Sequence, residues 1–115
     1  MGDNCFDEAV FYELRNSAGS DFVTELAHTF LEEAPGILAD LRSARGTGDG
    51  ERFRRAAHSL KSNADTFGAR KLAALARDIE LRGFDADAAR DMTTLTALEA
   101  EYARAAAQLK VMCNG

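Results

Sequence analysis

The sequence predicts an all-α protein: an antiparallel up-and-down four-helix bundle with an additional short N-terminal helix. Three observations carry this. Apolar residues recur at three- and four-residue spacing through most of the chain, the period of one helix face. No stretch of four or more residues alternates as a half-buried strand would. Glycines divide the chain into segments of helical length, and helices joined by short loops pack antiparallel to their neighbours.

The first helix is expected over about Phe6 to Ser17, capped by Asn4, with Asp7 three residues on as in a capping box. Its stripe is Phe6, Val10 and Leu14, and Gly19 ends it. Ser20 can cap a longer helix over about Asp21 to Ala44. Phe22, Leu26, Phe30, Ile37 and Leu41 line one face there, widened by Val23, Ala27, Ala34 and Leu38. Pro35 lies inside it and should bend the helix or remove one hydrogen bond. Gly46 to Gly50 reads as a loop. A third helix, about Glu51 to Thr66, has Phe53, Ala57, Leu60, Ala64 and Phe67 on its core face and stops at Gly68. A fourth, about Ala69 to Arg82, carries Leu72, Leu75, Ala76 and Ile79 and stops at Gly83. Asp85 or Asp87 can cap the last, which runs to about Val111 with Met92, Leu95, Leu98, Tyr102, Ala106 and Leu109 as its stripe.

A chain of 115 residues is expected to form one domain over residues 1–115 around a single modest core. At 46% hydrophobic and 29% charged, its composition suits a globular protein and not a disordered one. No apolar run nears the roughly 20 residues that cross a bilayer, and the acidic N-terminus lacks the positive flank of a secretion signal. A cytoplasmic location is therefore expected, with no membrane partner. The net charge of −5 argues against nucleic acid, which needs a concentrated positive stripe. No large apolar face demands a dimer, so a monomer is expected. Cys5 and Cys113 could pair, though a reducing compartment would keep them as thiols.

The informative residues lie on the third helix. With Ala57, Leu60 and Ala64 facing the core, His58 is rotated about 100° off that stripe toward water. Lys61 and Ser62, three and four residues on, stack beside it; Arg54 and Arg55 precede it by four and three. A histidine in water at neutral pH is largely the free, nucleophilic base. The cations can offset the two or so negative charges of an arriving phosphoryl group. Ser62 is short enough to let a partner's active centre approach. The chain has no glycine-rich nucleotide loop and no acidic cluster placed to hold Mg²⁺ around a phosphate, so no cofactor of its own is expected. A solitary surface histidine can equally be inert, and His28, near Thr24, Glu25 and Glu32, is read that way. With no third ligand, the two histidines do not suggest a metal site.

The run AHSLKSNADTFGARKLAALARDIE, residues 57 to 80, resembles the signature of histidine-containing phosphotransfer (HPt) domains. That signature has an A-H-x-L-K-[G/S] core, a G-A pair ten residues after the histidine, then a leucine and a terminal L-E or similar pair. Here these are Ala57, His58, Leu60, Lys61, Ser62, Gly68, Ala69, Leu72, Ile79 and Glu80. Phe30-Leu31, Gly48-Asp49 and Leu98 to Tyr102 are similar to family counterparts more weakly.

The resemblance implies that His58 is phosphorylated, that Lys61 is the cation beside the phosphoryl group, and that Glu80 hydrogen-bonds and orients the imidazole. A solvated helix end, or a pair with Arg77, is the other reading of Glu80. Ser62 stands where the family most often has glycine. Arg54 and Arg55 either contact the partner or form a solvated face balanced by Glu51. The resemblance also implies response-regulator receiver domains as partners, which supply the aspartate and Mg²⁺, in a two-component phosphorelay. The chain would be free-standing or a module of a hybrid sensor kinase, and not an ATP-using enzyme in itself. Docking in the family is apolar at its centre and draws on the first and second helices. Phe11, off the stripe of its helix, is the candidate contact here, unless it completes the core. Two rivals remain: a bundle that docks a signalling partner without carrying phosphate, and the phosphoacceptor region of an autophosphorylating kinase.

Overall fold

A computed structural model describes residues 6–84 and 88–114. Five helices follow one another: α1 (Glu8–Ala18), α2 (Ser20–Thr47), α3 (Gly50–Phe67), α4 (Arg70–Arg82) and α5 (Ala88–Asn114). No strand occurs among the described residues. Helices α2 to α5 pack in a ring, each against its sequence neighbours, with α5 returning against α2, and α1 lies across α2 and α3. Adjacent helices run antiparallel. Phe30 meets Phe67 with ring centroids 5.6 Å apart at one end of the α2–α3 pair, and Asp40 meets Arg52 at the other. One hydrophobic cluster draws on all five helices. The expected bundle is the observed one, and no described helix is long and apolar enough to cross a membrane.

The differences from expectation lie at helix ends and in which stripe turns inward. Helix α1 starts at Glu8 because the Asp7 N–H donates to the Gly68 carbonyl at 2.6 Å, leaving Asp7 as an N-cap without a side-chain bond. The proposed cap Asn4 lies outside the described residues, as do Asp85, Asp87 and Cys5. Ser20 is the first residue of α2 and not its cap. Helix α2 continues through Gly46 and Thr47, so the expected five-residue loop shrinks to Gly48 and Asp49. Phe22 is 51% exposed; the buried line is Val23, Ala27, Phe30, Ala34, Leu38, Leu41 and Ala44. That line forms because α2 is enclosed by α1, α3 and α5, which together decide the centre of its buried face. Met92 likewise points outward on α5.

Pro35 neither breaks nor ends α2. Its missing N–H would have bonded the Leu31 carbonyl four residues earlier. The Tyr102 hydroxyl of α5 donates to that carbonyl instead, at 3.5 Å. The neighbouring helix thus offsets part of the cost of the proline, and partial burial pushes the Tyr102 phenol above its ordinary value.

Gly68 closes α3 in the left-handed conformation, φ 81°. A Cβ there would lie 2.6 Å from the Asp7 carbonyl oxygen and 3.0 Å from Val10 Cβ. Glycine therefore serves both the turn and the close approach of α1. Gly68→Ala is expected to cost at least about 1–2 kcal/mol from the left-handed backbone alone, and more from the clash; urea unfolding measures it.

Candidate functional site

Helix α3 begins with the Asp49 side chain accepting from the Arg52 N–H at 3.1 Å, a cap worth about 1 kcal/mol. Phe53, Ala56, Ala57, Leu60 and Ala64 are buried on its inner face and fix its rotation. His58 is thereby turned outward, with 57% of its side chain exposed. Ser62 and the arginines Arg54 and Arg55 are exposed on the same side. On antiparallel α4, buried Ile79 fixes the rotation that brings the adjacent Glu80 across to α3.

Glu80 joins the site's two chemical groups. Its Oε2 lies 2.7 Å from Nδ1 of His58, and its Oε1 lies 3.4 Å from Nζ of Lys61. A carboxylate only accepts, so the proton of a neutral His58 ring sits on Nδ1, donated to Glu80, and the lone pair sits on Nε2. Partial desolvation pushes the Glu80 carboxyl up. Hydrogen bonding and charge interaction with His58 and then with Lys61 outweigh it and hold the group below its ordinary value. The contact is thus present above the ordinary carboxyl range and is lost as the pH falls through the depressed value.

His58, Lys61, Glu80, Ser62, Arg54 and Arg55 accordingly come together. Arg54 rests over Gly83, where an added Cβ would meet its Nη2 at 2.9 Å. Phe11 does not join them, which corrects the expectation of a docking side chain. It is 0% exposed and sits in the core. The reason is α1's seat on α2 and α3: Val10 packs at Gly68, and that places Phe11 on the inward side. Gly68 is ten residues beyond His58, about 15 Å along the helix. His28 is exposed on α2.

Sequence reasoning passed over Glu32, Glu33, Asp40 and Ser59, which line a cleft with His58 between α2 and α3. Ser59 and its neighbours were visible as part of the histidine face. The acids were visible as a pair on α2, but nothing in the sequence set the register of α2 against α3. Among the described residues no group of three or more His, Cys, Asp or Glu side chains is placed to hold a metal ion.

Comparison with curated proteins and with solved structures returns no match. The family model of the Hpt domain matches residues 25–108, which cover α3, α4 and the site just described. Hpt domains are histidine phosphotransfer modules of phosphorelays, carriers without a catalytic site of their own that interact with receiver domains and kinases. A match over most of the chain, with His58 exposed at its centre, makes this protein a member of the Hpt domain family.

Proposed function

We propose that the protein carries a phosphoryl group on Nε2 of His58, taking it from the aspartyl phosphate of one receiver domain and giving it to the aspartate of another. The observation that supports this most is an imidazole more than half exposed whose Nδ1 is engaged at 2.7 Å by Glu80. In the transfer, the Nε2 lone pair forms the N–P bond. The P–O bond to the receiver's aspartate breaks, and its electron pair leaves with the carboxylate. The Nδ1 proton stays on the ring, where Glu80 balances the charge that develops. Lys61, held beside the ring through Glu80, offsets charge on the phosphoryl oxygens. Mg²⁺ and the aspartate belong to the receiver. Onward transfer is the same step reversed. Here Glu80 is a positioning residue, and Ser62 keeps the approach open.

Incubation with a radiolabelled phospho-receiver tests this. The expected product is an acid-labile, base-stable label that maps to His58. A domain that binds receivers but takes no label from any of them would be a docking module instead.

Glu80→Gln is expected to slow single-turnover transfer roughly tenfold, the loss of one charge-assisted hydrogen bond at a partly solvated site. The amide can still accept from Nδ1 but carries no charge and no longer pairs with Lys61. Ring ¹⁵N shifts should show the Nδ1-protonated form weakening in the variant. A merely structural glutamate would leave the tautomer balance unmoved.

A further inference from the structure

The ring of His58 is a wall shared by two clefts of unlike charge. One, of about 770 Å³ between α2 and α3, is lined by Glu32, Glu33, Asp40, Ser59 and Ser62. The other, of about 650 Å³, is lined by Arg54, Arg55 and Arg82, with Glu51 and Glu80 offsetting part of the positive charge and Glu80 itself engaged by His58 and Lys61. Some of these charges are already used within the fold. Asp40 holds Arg52 at 2.6 Å, and Arg82 meets Asp78 at 3.2 Å. Glu32, Glu33, Arg54 and Arg55 are exposed and make no ion pair among the described residues.

Charges that no partner in the fold neutralises project a field into solvent, and such fields steer and select a docking surface. The acidic side is also open at close range. Gly36, Ser59 and Ser62 are small, and a Cβ added at Gly36 would meet nothing within 4 Å. A receiver seated on His58 must therefore cover both poles at once.

We propose that this split selects the partner: the receiver domain that reaches His58 sets a cationic surface against Glu32 and Glu33 and an acidic one against Arg54 and Arg55. The inference rests on the phosphocarrier reading above. It adds an orientation and a rule of choice among receivers, carried by α2 and the first turns of α3.

The test uses two purified receiver domains with opposite charge patterns beside the phosphorylated aspartate, each loaded with labelled phosphate. The wild-type protein should accept faster from the receiver that is basic on the α2 side. The E32K/E33K variant should shift the ratio of the two rates about tenfold or more toward the other receiver. R54E/R55E should shift it in the same direction from the opposite pole. Damage to the fold would slow both receivers alike, so the ratio reads the surface and not the stability. Raising ionic strength from about 0.01 M to about 1 M, which cuts the Debye length from about 30 Å to about 3 Å, should erase most of the preference. A ratio unchanged by either reversal overturns the charge rule while leaving His58 as acceptor. A wild-type protein that takes no label from either receiver or from phosphoramidate overturns the phosphocarrier reading, and this rule with it.

Discussion

His58→Gln is expected to abolish the acid-labile label completely while leaving the stability of the bundle within about 0.5 kcal/mol of wild type, as exposed substitutions do. Glutamine has nearly the reach of the imidazole, and its amide can donate to Glu80, so the 2.7 Å contact across α3 and α4 has a substitute. What it lacks is a ring nitrogen lone pair that can attack phosphorus. The ring is 57% exposed and the core face of α3 runs through Ala57 and Leu60, so no cavity forms. Two measurements suffice: labelling by a phospho-receiver, and thermal unfolding. The only other histidine, His28, lies exposed on α2. Label that persists in His58→Gln and maps to His28 would move the acceptor to α2.

Phe11→Ala is expected to destabilise the protein by about 3–5 kcal/mol, the usual range for emptying a buried phenylalanine site. Against a total stability of about 5–15 kcal/mol for a domain this is a large fraction. Phe11 is wholly buried, with its ring 5.5 Å from that of Tyr12 and the Arg15 guanidinium 5.9 Å from its centroid. Denaturant titration should show a lower midpoint with a similar slope. Transfer by the molecules that remain folded should proceed at the wild-type rate, since α1 packs at Gly68 and away from the histidine. A variant of wild-type stability with slow transfer would return Phe11 to the docking surface.

The contrast between these two residues marks how far the sequence could be read. The outward position of His58 is legible because it depends only on the helix that carries it. Ala57, Leu60 and Ala64 define the inner face of α3, and a fixed rotation per residue then turns His58, Ser62 and Arg54 outward. The sequence leaves Phe11 open between docking contact and core because α1 is short and offers two overlapping apolar faces; the structure puts it in the core. Nothing local says which one meets α2. Phe22 lies beside a competing stripe through Val23, whose burial depends on neighbours, while on α5 the buried place next to Met92 is taken by Asp91, which pairs with Arg45 of α2. The Glu80 contact was legible only through resemblance, since twenty-two residues and a turn separate it from His58.

The sequence by itself determined the helical segments, their glycine stops, the HPt motif and the outward histidine with its lysine and serine. These follow from backbone geometry that repeats every few residues. The tertiary structure alone decided which face of α1 and α2 is inside, that Tyr102 meets the carbonyl freed by Pro35, and that Glu80 grips both His58 and Lys61. It also decided that Glu32 and Glu33 stand across a cleft from the histidine. Each of those depends on the register of one helix against another, which many side chains set jointly as they pack, and no single stretch of sequence encodes it.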